Sequence, residues 1–233
     1  MAVPAISEPV RPEALERLRE RLREISARPT PTLEPRLSTD IPAVDRLLEG
    51  GFPVGIIATI EGATGRWSLA AGLLARMTRR SLVAILDDGA LYPPSLVEAG
   101  VRLDRVLVVP ARGALAIARA VDILLRSRIC RLVLMPAIAL RDALWTRLAT
   151  LAHRSGVLLI VVAARAGAAL SAAAGVRLHC TLERVFIRGE RGLWGSVTGF
   201  ELCVGVRKHA RLPAGRTARV RVGCEAMRDA ALR

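Results

Sequence analysis

The residues Glu61-Gly62-Ala63-Thr64-Gly65-Arg66-Trp67-Ser68 stand between an apolar run and a helix-like segment. A strand–turn–helix of this kind is where phosphate binds, because backbone N–H groups and the helix N-terminus supply a positive pole. Phosphate hydrolysis there requires GxxxxGK[ST], with lysine on the β/γ-phosphates and the hydroxyl on magnesium. This turn reads GxxGRWS. It is two residues short, so the anion nest is smaller. Arg66 replaces the lysine, and Trp67 stands where the metal-binding hydroxyl belongs. Ser68, one step further, points elsewhere on a helix. An arginine can bind phosphate, and Asp87 or Asp88 is available to hold a metal. Turnover also needs a metal set in oxygen ligands and a positioned water. The expectation is a degraded phosphate loop without catalysis, cofactor or resident metal.

Other chemistry-bearing constellations are sparse. His153, His179 and His209 have no ligand-like spacing, and no Ser/His/Asp order suggests a nucleophile. Cys130, Cys180, Cys203 and Cys224 are scattered without a CxxC, which points to reduced, mostly buried thiols.

The net charge is +14, and Lys208 is the single lysine. A preference for arginine over lysine fits a GC-rich genome, but it does not explain the excess of base over acid. From Arg177 to Arg233 there are twelve Lys/Arg and five Asp/Glu, so +7, half the total. Between Val204 and Val222, Arg207, Lys208, Arg211, Arg216, Arg219 and Arg221 occur with no acid. This is either a solvated face of terminal strands or a surface that tracks phosphates or an acidic partner. The uninterrupted run favours the second reading. Trp194 and Phe200 are the nearby aromatics, and core packing suits both better than base stacking.

The elements that position these residues follow from hydropathy. The chain has 233 residues, 52% of them apolar and only 3% aromatic, so aliphatic side chains fill the core. The longest apolar run, near Val157–Ala164, is far short of the roughly 20 residues that span a bilayer. The N-terminus lacks an apolar signal segment, so a cytoplasmic, non-membrane location is expected. Pro12–Ile25 reads as a helix with Leu15, Leu18, Leu22 and Ile25 on one narrow stripe, suited to docking or self-association. A proline-rich linker follows. The expected division is 1–36 for this helix and linker, 37–223 for the main domain, and 224–233 for a short tail.

In the main domain, Ser38-Thr39-Asp40 looks like an N-cap for a helix over Ile41–Leu48, ended by Gly50-Gly51. Apolar strands are expected at Ile56–Glu61, Leu82–Leu86, Arg105–Val109, Leu132–Met135 and Val157–Ala163. Helices are expected over Trp67–Thr78, after Pro94, and over Ala114–Leu125 and Leu140–His153. This alternation predicts an α/β fold with a mostly parallel sheet covered by helices on both faces. Val176–Ile187, Ser196–Val206 and Thr217–Val222 then follow without helices. They predict an antiparallel extension, with turns at Gly189–Gly192 and Pro213–Gly215.

On these residues the chain resembles the RecA-like superfamily. LSTDIPAVDRLLEGGFPVGIIATIEG is similar to that family's approach to the phosphate loop. AILDDGALYPPSLVEAGVRLDRVLVV is similar to the region of its catalytic glutamate, and ALSAAAGVRLHCTLERV with VGVRKHARLPAGRTARVRV to its closing strands. The resemblance covers about Leu37–Val222 and implies a RecA-like core. The departures matter for function. Met135, or Pro136 in a slipped register, stands where the family keeps a magnesium-coordinating aspartate, and neither binds a metal's water shell. Asp88 lies about where the catalytic glutamate belongs. The coupling glutamine is replaced near Ala163–Ala164. The second DNA loop shrinks to Gly167–Gly175.

A core with these losses resembles most closely the ImuA proteins, accessories to mutagenic translesion synthesis in the SOS response. That resemblance implies an ImuB-like Y-family polymerase homologue as partner and, indirectly, an error-prone replicative-type DNA polymerase; the basic run Arg207–Arg221 adds DNA, or an acidic face of a partner, as a further expectation. The likeness to RecA-type filaments implies that the edge strand Arg105, Val106, Leu107, Val108 and Val109 receives a RecA-like N-terminal segment, from a second copy of this chain or from the ImuB-like partner; the alternative is an edge covered by the chain's own Pro12–Ile25 helix. The alternatives are a SulA-like division inhibitor and a RecA paralogue that still binds nucleotide weakly.

Overall fold

The computed structural model describes residues 35–188 and 196–223. The proposed helix with Leu15, Leu18, Leu22 and Ile25, the turn at Gly189–Gly192, Trp194 and the tail 224–233 lie outside the described residues.

Strands β3 (Ile57–Glu61), β4 (Val83–Asp87), β5 (Val106–Pro110), β6 (Leu132–Pro136) and β7 (Leu158–Ala163) are short and almost wholly aliphatic. Residues of this kind, buried on both faces, form a parallel sheet. Three longer strands follow, β8 (Val176–Arg188), β9 (Ser196–His209) and β10 (Thr217–Gly223). The order across the sheet is β10-β9-β8-β3-β7-β6-β4-β5. β8 joins β3 in parallel, and β9 and β10 continue antiparallel. The expected parallel sheet with an antiparallel extension is therefore present, and β5 forms one edge of it.

Side chains alternate along each strand and feed two cores. Ala58, Ile60, Leu132 and Leu134 face one side. There they pack with α1 (Pro42–Leu47), α2 (Arg66–Met77) and α3 (Pro93–Glu98). Ile57, Val133, Met135 and Val161 face the other side. It is covered by α4 (Ala114–Ser127) and α5 (Asp142–Ser155), with the short α6 (Ala168–Ala173). Trp145 of α5, 1% exposed, anchors this second core. Truncating such a side chain to alanine costs about 3–5 kcal/mol.

Three details depart from the sequence expectation. Ser38-Thr39-Asp40 does not cap α1, whose N-cap is Ile41 without a side-chain hydrogen bond. Asp45 instead accepts from the backbone N–H and hydroxyl of Thr39, both at 2.8 Å, and ties the turn to the helix. A small hairpin of β1 (Arg36–Leu37) and β2 (Phe52–Pro53) precedes β3. Its two-residue strands are too short to show a hydropathy period. Arg105 closes a 3₁₀ turn, Leu103–Arg105, so the edge strand starts at Val106.

Candidate functional site

The phosphate-type turn joins β3 to α2, as its sequence position requires. Gly65 is the N-cap of α2 at φ 77°, and Gly62 has φ 148°, values that side chains rarely adopt. The turn lies flat on β8. A Cβ on Gly62 would stand 2.0 Å from the Cys180 carbonyl oxygen. The Gly62 N–H donates to the Ala164 carbonyl at 3.2 Å. The Leu182 N–H donates to the Thr64 hydroxyl at 3.3 Å.

Arg66 turns back on this loop. Its Nη1 donates to the carbonyls of Gly62 and Ala63, both at 2.7 Å. Where the active motif sends a lysine to phosphate, this cation is engaged by its own turn. Trp67 is half-exposed, and Ser68 lines a groove between α2, α3 and the strands β9 and β10.

Trp67, Asp88 and Met135 are nevertheless brought together. With Asp87, Tyr92 and Leu134 they line a cleft of about 300 Å³ at the C-terminal ends of β4 and β6. This is the end of a parallel sheet where ligands sit. Met135 borders this cleft only by its place in β6: its side chain is fully buried in the second core, on the face of the sheet opposite Leu134. Asp87 folds back to accept from the N–H groups of Leu91 and Gly89, at 3.0 and 2.9 Å. Those bonds, Leu91 first, hold its carboxyl below the ordinary range. Asp88 is exposed at the rim. Among the described residues, no three His, Cys, Asp or Glu side chains gather in a metal-binding group.

Glu61, the last residue of β3, has a role that the motif comparison does not reveal. It is 4% exposed. The Arg177 fork donates to both its oxygens at 2.8 and 2.9 Å. Thr59 donates to Oε1 at 2.6 Å, and the Ala166 N–H to Oε2 at 3.2 Å. Burial alone raises such a carboxyl; the Arg177, Thr59 and Ala166 donors outweigh it and hold the group at about 2. The signal available in sequence is Thr59-x-Glu61, two polar residues on one face of a buried strand.

The six basic residues of the closing strands do not form one stripe. Arg219 and Arg221 share the face of β10 away from α2. There they pair with Glu183 at 3.0 Å and Glu201 at 3.2 Å, and Arg221 also lies 5.1 Å from the Phe186 ring centre. Arg216 reaches Glu49 at 2.7 Å. Lys208 donates to the carbonyls of Ser171 and Ala172, so it caps the C-terminal end of α6. Arg207 and Arg211 are exposed, Arg211 in the turn between β9 and β10. Phe200 is partly buried against the first core.

The cysteine expectation holds for the described residues. Cys130 and Cys180 are buried, and burial, with Cys203 nearby, pushes the Cys180 thiol up to about 12.

At the sheet edge, Leu107 and Val108 are each about 40% exposed, and Leu115 and Ile123 of α4 are more so. Among the described residues, nothing pairs with the outer side of β5. No described helix is long and apolar enough to cross a membrane.

No family model matches the chain, and no curated protein matches it. Among solved structures, it is similar to the crystal structure of the RadB recombinase. The TM-score is 0.59 and the identity 19%, covering 78% of this chain and 94% of that one. The fold is therefore that of a RecA-like core.

Proposed function

We propose that this chain is a non-catalytic RecA-like accessory protein of DNA repair. In this reading it is an ImuA-type adaptor of translesion synthesis that holds an ImuB-like Y-family polymerase homologue, and through it an error-prone replicative-type polymerase. The observation that carries the reading is the Arg66 guanidinium on the Gly62 and Ala63 carbonyls. Both Nη1 hydrogens are committed to the turn, which tethers the guanidinium to its own loop where the active motif extends a lysine toward the γ-phosphate. The apolar lining of the adjoining cleft supports the same conclusion, since phosphoryl transfer is driven by positioned charge. The likeness to a recombinase agrees with a setting in DNA repair.

The unpaired β5 edge supports the adaptor role. An exposed edge offers a row of N–H and C=O groups to an added strand, and Leu107 and Val108 offer apolar contacts. The test is co-purification of the tagged chain from cells treated with a DNA-damaging agent, with captured proteins identified by mass spectrometry. A Y-family polymerase relative, lost on Leu107→Asp with Val108→Asp, is the expected result. Capture of a division protein, or of no polymerase relative, contradicts the reading.

Residual anion binding is the one second reading with an observation behind it. The first turn of α2 has no acidic residue and no side-chain cap, so its positive pole persists.

A further inference from the structure

Arginines precede three of the parallel strands: Arg105 before β5, Arg128 and Arg131 before β6, and Arg154 before β7. In a parallel sheet the starts of the strands share one end. Here that is the end opposite the phosphate-type turn and its cleft. Val83 of β4 pairs with Val106 on one side and Leu132 on the other. Arg105 and Arg131 each stand one residue before those partners. Two strand spacings therefore separate them, roughly 10 Å between backbones. The Arg131 N–H donates to the Leu82 carbonyl, and the Arg131 carbonyl accepts from Leu158, both at 3.1 Å. Arg128 Nη2 donates to the Arg154 carbonyl at 3.0 Å, which brings β6 and the end of α5 into the same row.

Among the described residues the charge of this row is only partly offset: Asp104, paired with Arg102, also feels Arg105. Arg102 and Arg80 beside it are paired with Asp104 and Asp40. Arg105, Arg128, Arg131 and Arg154 are exposed, and no described carboxylate lies within ion-pair distance of them. Arg128 adds a second observation. It ends α4 in the left-handed region at φ 55°, where α5 uses Gly156 at φ 70°. A non-glycine residue there costs about 1 kcal/mol. Its side chain spends one donor, Nη2, on the Arg154 carbonyl, and the exposed guanidinium keeps further N–H donors for a ligand.

We propose that this end of the sheet is a binding surface for the phosphate backbone of nucleic acid, separate from the closing strands. A guanidinium grips two phosphate oxygens at once. A row of four exposed arginines on successive elements, with Asp104 the one described acid beside it and that acid already paired with Arg102, fits a regularly repeating anion better than the mixed charges of a folded acidic protein. The contact is to backbone, so it is independent of base sequence. The inference does not rest on the adaptor reading.

The test is fluorescence anisotropy of the full chain with labelled single-stranded and duplex oligonucleotides over a salt series. The wild type is expected to bind both. Arg105→Ala with Arg131→Ala should weaken binding about tenfold or more. On duplex it should lower the slope of log affinity against log salt by roughly 0.9 for each arginine removed. Arg128→Gly should also weaken binding while leaving the melting temperature unchanged or higher, which a folding defect would not do. Arg219→Ala with Arg221→Ala should change affinity less than the Arg105/Arg131 pair. Unchanged affinity and slope for that pair overturn the proposal, as does a wild type that binds neither oligonucleotide. Displacement by polyglutamate as effective as by an oligonucleotide of equal charge overturns the assignment to nucleic acid. The Leu107→Asp, Val108→Asp variant should bind oligonucleotide like wild type, so failure here is distinct from failure of the adaptor reading.

Discussion

The guanidinium of Arg66 donates to the carbonyl of Gly62 at 2.7 Å, four residues back along the chain. With the bond to Ala63 it closes a turn that is two residues shorter than a working phosphate loop. Arg66 therefore holds the entry to α2 in place. Arg66→Ala should lower stability by about 1 kcal/mol, or about 2–4 °C in melting temperature for a domain of this size. Thermal unfolding followed by circular dichroism checks it. An unchanged melting temperature would show that the side chain contributes nothing to the turn.

The Glu61–Arg177 pair predicts a pH dependence. The Glu61 carboxyl falls from the usual range near 4.5 to about 2 in the folded chain. Its folded value lies below its unfolded one, so its contribution is complete above about pH 5. That contribution is lost as pH falls toward 2. The contribution is on the order of 3 kcal/mol. Denaturant unfolding at pH 7 and pH 3 should show the loss. Glu61→Gln should flatten this part of the profile and destabilise the protein at neutral pH, because Arg177 is left without its carboxylate.

Gly72 in α2 faces Val222 of β10, and a Cβ there would stand 2.6 Å from Val222 Cγ1. Gly72→Ala should destabilise by about 1–3 kcal/mol despite the better helix propensity of alanine. Val222→Ala should recover part of that loss in the double variant, a coupling measurable by chemical denaturation. Additive effects would show that the contact is loose.

Leu107 and Val108 are exposed on the edge strand, so aspartate at both should change stability by only about 0.5 kcal/mol each. The effect should appear in partner capture, with the melting temperature as control. Capture that survives both substitutions places the docking surface elsewhere.

Much of the fold was legible because its signals are local. The aliphatic runs of β3, β4, β6 and β7 end at glycines, prolines or charges, and helices between them leave a parallel sheet as the arrangement. α6 is not legible in the sequence, because its Ala-rich run has no polar face to set a period. The site was legible only in part. Gly62–Ser68 stands out by comparison with a motif, and Asp88 does line a cleft with Trp67, whereas the Met135 side chain is buried in the second core on the other face of the sheet. Glu61–Arg177 joins residues 116 apart, and no local pattern reports such a pair. The closing-strand bases form a run in sequence but not on the surface. Their neutralising acids Glu49, Glu183 and Glu201 come from other elements. The row at the other end of the sheet is the converse: its arginines are scattered in sequence and are aligned by strand register.

The central claim is that the phosphate turn no longer does phosphate chemistry. Its most direct test is release of inorganic phosphate from ATP with magnesium by the purified full chain, run beside Arg66→Ala. The account predicts release at the rate of the protein-free control for both proteins. Saturable release above that control in the wild type, abolished in Arg66→Ala, would contradict it.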